Sequence, residues 1–301
     1  MCRAFQADQY ARIKKEYDGG GQGTAFAVFS GARNYKFQLR YPEYPWATDL
    51  RVRRAMTHMI DRQALADELV AGLAGPADTP ISPSNPVYPV LKQLGLPSYP
   101  YDPAQAQRLM ADAGWTKGAD GMFHPTAGGP PLSMSVAVRG TGSFGANNLR
   151  EVQGVVSLYR SAGIDATVTS TGGGGVLQRE AESTNRGMFG LPLRESHSSF
   201  LIYRSDQIGT APQWNGGNFA GYSNPEYDRL YNASLLAFDL GERNKLLAGA
   251  LKLLAEDAVA VNMFYDMGQQ TVVFRKGIRG PIPSSPLQNA AAWNIHTWEM
   301  D

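Results

Sequence analysis

The chain has 301 residues, 43% of them hydrophobic, and its 28 Lys and Arg nearly balance 27 Asp and Glu for a formal net charge of +1. A chain of this length can bury a large core and, on length alone, form about two domains. The charge balance excludes bulk attraction to nucleic acid or an anionic membrane, the single cysteine excludes an intrachain disulfide and a cysteine-rich metal site, and no apolar run reaches the ~18 residues of a membrane span.

Residues 1 to 23 hold a short polar helix candidate that ends at "DGGGQG". Cys2 has no apolar segment before it, so the chain shows no signal peptide or lipoprotein leader, and the residue reads as incidental. "TAFAVFS" (24–30) and "YKFQLRY" (35–41) have strand character. "TDLRVRRAMTHMIDRQALADELVAG" then predicts two helices. Asp49 and Asp61 are placed to cap them, Val52, Ala55, Met56, Met59 and Ile60 form an apolar face, and Gly72 is placed to end the second. Arg51, Arg53 and Arg54 fall mostly outside that face, which predicts a solvated helix surface rather than a phosphate-binding patch.

Eight prolines between Pro76 and Pro103 predict an ordered crossing without regular helix or central strand, held to the core through Ile81, Val87, Tyr88 and Tyr99. "DPAQAQRLMADAGW" reads as a helix capped by Asp102, with Pro103 in its first turn and Gly114 as its stop. "LSMSVAV" (132–138), a helical pattern through Leu149, Val152, Val156 and Tyr159, and "GIDATVTS" make a βαβ unit with a parallel strand pair. Asn224 and Pro225 open a further helix, "GERNKLLAGALKLLAEDA" is amphipathic, and "VAVNMFY" and "QQTVVF" read as strands. Trp293 and Trp298 are expected to pack the tail down.

Gly140, Gly142 and Gly145 have the spacing of a dinucleotide-binding turn between a strand and a helix. That fingerprint needs an acidic residue at the carboxyl end of the next strand. Asp165 stands at its start, and Thr169, Ser170 and Thr171 occupy the required end. The glycines therefore read as a tight βα turn, and a nucleotide-cofactor-dependent enzyme is an alternative of another class. No cofactor is expected. His58, His124, His197 and His296 are scattered, without an HxxxH or HExxH pair, and neither a GxSxG elbow nor a GxxxxGK[ST] loop is present. "LPLRESHSSFLIYRS" concentrates Arg194, Glu195, His197, Ser198, Phe200, Tyr203 and Arg204 in an irregular stretch of the kind that makes a binding wall, or an exposed loop. Trp214, in "PQWNGGNF", either stacks on a ligand or anchors its loop.

Taken in order, "DLRVRRAMTHMIDRQALADELVAGLAGPADTPISPSNP", "YPYDPAQAQRLMADAGW", "NFAGYSNPEYDRL" and "GERNKLLAGALKLLAEDAVAVNMFY" resemble the extracellular solute-binding proteins of family 5, the peptide/nickel-type receptors of ABC importers, over about residues 40 to 275. The family's Asp-x-Arg-Val-Arg-x-Ala helix start is matched at Asp49, Arg51, Val52, Arg53 and Ala55. Its Asp-Pro helix ending in Gly-Trp is approximated at Asp102, Pro103, Ala106, Gly114 and Trp115, and its Asn-Pro-x-x-Asp turn is matched at Asn224, Pro225 and Asp228.

The resemblance implies an α/β fold, a type II periplasmic-binding-protein-like lobe with a mixed sheet flanked by helices, plus remnant strands of a partner lobe. Residues 1–45 are expected to be a remnant of the first lobe, 46–264 the second, ligand-binding lobe, and 265–301 a segment returning to the first. The chain matches the second half of the family's usual length, so a truncated product is expected. The implied function is that of the receptor of an ABC import system, with oligopeptides as the default ligand. An oligosaccharide, an opine-like compound or a metal chelate is the alternative. No catalysis and no resident metal are implied. The implied partners are the ligand and the ABC permease subunits, outside the cytoplasm, with the membrane reached only through the transporter or an anchor not seen in this chain. In peptide-binding members an acidic residue receives the ligand ammonium, and Glu195 is the acidic residue of the matching "MFGLPLRESHSSF". The expected ligand-binding set is Arg139, Phe144, Asn147, Arg194, Glu195, His197, Tyr203 and Trp214.

Overall fold

The computed structural model describes residues 2–3, 7–27, 31–140, 145–266, 271–280 and 294–301. The centre of the protein is a five-stranded mixed sheet built from β3 (Gly31–Phe37), β6 (Ser133–Arg139), β7 (Asp165–Thr171), β8 (Gly187–Arg194) and β9 (Ala260–Tyr265), in the order β7-β6-β8-β3-β9. β6 is parallel to β7 and β8, whereas β3 runs antiparallel to β8 and β9. The carboxyl ends of β6, β7, β8 and β9 and the first residues of β3 therefore share one edge.

The βαβ unit forms as the pattern predicts. α7 (Gly145–Ala162) joins β6 to β7, with Val152, Val156 and Tyr159 buried. β7 pairs with β6 from Ser133↔Asp165 to Arg139↔Thr171, so Asp165 lies at the edge away from Gly140. The geometry that sets this turn apart from a dinucleotide site is thus present. Gly142 and Phe144 lie outside the described residues.

Helices cover both faces. One layer contains α3 (Leu50–His58), α4 (Arg62–Val70), α6 (Pro103–Asp112) and α7, whose apolar residues pack with Tyr35 and Phe37 of β3. The other contains α5 (Val87–Gln93), a 3-10 helix (His197–Tyr203), α9 (Pro225–Leu236) and α10 (Leu240–Glu256), packed around Leu193, Phe200 and Tyr227. Capping fixes where these helices start. Asp49, Asp61, Asp102 and Asn224 each accept a backbone N–H of the first turn, and Pro103 and Pro225 fill positions whose amides have no helical partner. Gly114, at φ +84°, stops α6.

A separate three-stranded antiparallel sheet, ordered β1 (Cys2–Arg3), β10 (Thr271–Arg275), β2 (Gly23–Ala27), joins the two ends of the chain and packs against α1 (Ala7–Gly20). β4 (Trp115–Lys117) and β5 (Phe123–Pro125) make a hairpin containing His124, and β11 (Ile278–Arg279) pairs with β12 (Glu299–Met300). Trp298 packs edge-on against Phe274 at 4.9 Å; Trp293 lies outside the described residues.

Three expectations are corrected. The division at residue 45 puts β3 in the first-lobe remnant, whereas β3 stands inside the main sheet between β8 and β9. Its alternation was masked because both faces of a central strand are buried. The proline-rich crossing does contain a helix, α5. Pro89 falls in its first turn, where a missing N–H leaves no helical bond unmade. The arginines after Asp49 are not simply solvated. Arg53 donates to the carbonyls of Asp257 and Trp46 and Arg54 to that of Glu256, so both hold the carboxyl terminus of α10. Only Arg51 is exposed, paired with Asp49. Arg62 is buried and reaches Ala77, Tyr99, Asn262 and Asp78, which ties the crossing to β9.

Candidate functional site

In an open α/β sheet, ligands bind outside the carboxyl ends of the parallel strands, where loops rather than side-chain layers close the edge. Here that edge is stepped. The β6–β8 pairing ends at Val138↔Gly190, so Arg139 closes β6 while β8 runs on to Arg194, roughly 10 Å further. Arg194 is exposed at the tip of this step, opposite Gly31. On the far side, the glycine run after Thr171 leads into α8 (Gly175–Ser183), whose first turn presents Leu177 at 72% exposure and Val176 at 39%.

Two buried charge clusters support the edge from opposite faces of β3. On the α7 side, Arg33 contacts Glu151 at 2.6 Å and Asp266 at 3.8 Å and donates to Asn148 Oδ1 at 2.8 Å. Asn148 in turn donates to the carbonyl of Arg139, so this cluster fixes the start of α7 to the end of β6. On the α8 side, Arg139 grips Glu182 through Nε (2.5 Å) and Nη2 (2.8 Å), and Gln178 donates to the same carboxylate. Glu182 has no exposed side-chain surface. Lys36 is buried beside this pair, with its ammonium position 5.7 Å from the Tyr203 ring centre. Burial, then the charge of Arg139, pull the Lys36 amine down to about 7, with Glu182 opposing them.

The expected ligand-binding residues divide on this frame. Arg139 and Arg194 share the edge, and the guanidinium of Arg139 already has a carboxylate, that of Glu182. Asn147 lies in the first turn of α7 at the same edge; Phe144 is outside the described residues. Glu195 turns inward. Its carboxylate accepts the backbone N–H and hydroxyl of Ser82, at 2.5 and 3.1 Å, and burial raises its pKa. The expectation that it receives a ligand ammonium does not fit this pairing, because a β-strand that ends one residue earlier sends its next side chain to the opposite face.

His197 also belongs to the wall. Ser234 Oγ donates to the Tyr231 carbonyl, so His197 Nε2, 2.8 Å from that oxygen, is the donor to it and carries the proton. Tyr203 donates to Asn34 Oδ1, and Asn34 to Asn262, beside an internal cavity of about 10 Å³, the size of roughly one water. Trp214 is away from the edge altogether. Its ring lies 5.8 Å from the Arg40 guanidinium, past the far end of β3, and its φ of +53° belongs to a tight loop. Lys36, Glu182 and Leu177 were not singled out from sequence. The signal for Leu177 was the apolar pair that follows four glycines.

The model of the bacterial extracellular solute-binding proteins, family 5 Middle, matches residues 3–197. The nickel-binding periplasmic protein of Escherichia coli is 24% identical over 277 residues, covering 87% of this chain and 50% of the relative. The oligopeptide-binding protein AppA of Bacillus subtilis is 26% identical over 225 residues, covering 72% of this chain and 38% of the relative. The oligopeptide-binding protein of Thermus thermophilus, solved with a pentapeptide, superposes with a TM-score of 0.71 at 21% identity, covering 98% of this chain and 52% of that one. The chain thus spans about half the length, or less, of each of these relatives. With a type II periplasmic-binding-protein fold and a family match over most of its length, the chain belongs to the bacterial extracellular solute-binding proteins of family 5.

Proposed function

We propose that this chain is a ligand-binding lobe of the receptor component of an ABC import system, working outside the cytoplasm and delivering oligopeptides to permease subunits. It binds and performs no chemistry. The observation that carries this reading is the exposed Arg194 at the tip of the stepped edge, opposite the apolar first turn of α8. A peptide has the matching chemistry: a carboxylate for the guanidinium and apolar side chains for Leu177 and Val176. Arg139 positions the edge through Glu182 and is not itself the carboxylate receptor. A metal chelate is the second reading, favoured by the likeness to the nickel-binding protein over 87% of the chain. Such a chelate also carries carboxylates for Arg194.

Mass spectrometry of ligand released from the purified full-length receptor separates the two. Recovered peptides are expected, a recovered metal chelate moves the assignment to the second reading, and a receptor that neither carries nor binds either class sinks both. Arg194→Ala is expected to weaken peptides with a free carboxyl terminus about tenfold or more. The same change should leave carboxyl-amidated peptides unaffected.

A further inference from the structure

α9 leads from the far edge of the sheet toward the ligand edge. Asn224 at its start bonds Asp257 beyond α10, and Ser234 near its end bonds His197, three residues past the end of β8. The turn into α10 therefore emerges on the side of the lobe that carries Arg194. In that turn Leu235, Leu236, Phe238 and Leu240 are 50%, 78%, 98% and 61% exposed. Four large apolar side chains within six residues are unusual on a solvated surface. The turn is also built rigidly. Ala237 donates its N–H to Ala233, Arg243 clamps the Ala237 carbonyl through two nitrogens at 3.0 and 2.9 Å, and Asp239 caps α10.

We propose that this turn is a docking foot that enters an apolar recess on the extracytoplasmic face of a membrane-embedded permease subunit, an assignment that rests on the receptor reading above. Area and charge select this occupant. The four side chains offer on the order of 400 Å², about half of what each partner gives in a standard interface, so the turn suffices as one foothold of a larger contact and not as the whole seam between two copies. A contact of this size suits one foothold of a transient complex. Asp239 and Glu242 offset Arg243 and Lys245 around the tip, so it lacks the basic flank that holds a shallow apolar loop on an anionic bilayer.

The test replaces Phe238 with photoreactive p-benzoylphenylalanine in the full-length receptor, irradiates whole cells and identifies the adduct by mass spectrometry. An adduct with an integral-membrane permease is expected, and none from the same probe at Tyr101, an aromatic side chain 50% exposed outside the turn. Adducts confined to lipid, to a second copy or to the same chain overturn the proposal, as does the lack of any permease adduct. Independently, a Leu236→Asp, Phe238→Asp variant should lose about tenfold or more of ligand uptake. Its ligand affinity and melting temperature should stay unchanged, and full uptake by this variant also overturns the proposal. Intact ligand binding without a permease adduct removes the docking foot alone. A receptor that binds no solute removes the receptor reading and the docking foot with it.

Discussion

Arg33 and Lys36 stand three residues apart on β3, both buried, and meet opposite electrostatic fates. Arg33 projects toward α7, where Glu151 and Asp266 surround it and Asn148 completes its hydrogen bonding. Lys36 projects toward α8, where the nearby carboxylate of Glu182 is already gripped by Arg139 and Gln178. The same strand thus holds one cation whose counter-charge is in surplus and one whose counter-charge is spoken for. Burial by itself does not decide whether a charge stabilises; the inventory of partners does.

The largest expected effect comes from breaking the well-matched side. Arg33→Met removes the cation held against buried Glu151 and should cost about 3–5 kcal/mol in urea unfolding at pH 7. A loss below about 1 kcal/mol would show that the carboxylates find water or protons easily and that the contrast with Lys36 is false.

Lys36→Met sharpens the contrast from the other side. The unfolded chain releases this proton near 10.4, the folded chain at about 7. Between those values the unfolded state holds more protons, so wild-type stability rises with pH across that window, and the full penalty is present below pH 7. The variant should therefore be more stable at pH 7, by on the order of 2–4 kcal/mol, with its advantage shrinking toward pH 10. A destabilised Lys36→Met protein with no such pH trend refutes this account.

Cations paired with carbonyls fall between these cases. Arg53→Ala should cost about 1–2 kcal/mol by thermal melting, since it frees the Asp257 and Trp46 carbonyls. Arg51→Ala, on the exposed side of the same helix, should leave the melting curve unchanged. Equal effects for the two would restore the view that this arginine cluster is merely solvated.

Among variants expected to move stability at all, the smallest shift belongs to Glu195→Gln, whose amide oxygen still accepts from Ser82. Burial raises the folded pKa of Glu195, so its contribution is complete below the unfolded value near 4.3 and is lost as pH climbs through the folded one. The variant should gain up to about 1 kcal/mol between pH 4 and pH 7. A loss of that size at pH 7 would mean that the charge itself is needed at Ser82.

These contrasts mark what the sequence makes legible. Caps at Asp49, Asp61, Asp102 and Asn224, the stop at Gly114 and the βαβ unit are local signals, and each is where its pattern placed it. The orientation of Asp165 was legible for the same reason, because a strand's direction follows from its neighbours in sequence. The partners of Arg53, Arg62 and Glu195 were not, for they lie up to about 200 residues away along the chain. A loop rich in polar residues, such as "LRESHSSF", looks alike whether its side chains face a ligand or clasp another segment. Of that stretch Arg194 and Ser198 are exposed, whereas Leu193, Glu195 and Phe200 are buried.

The clasp between Glu195 and Ser82 has a mechanical consequence. It fastens the stretch after β8 to the proline-rich crossing, which Arg62 in turn fastens to β9, so three distant stretches travel together. If Arg194 receives a ligand as proposed, it does so on an edge braced from behind by these two clasps.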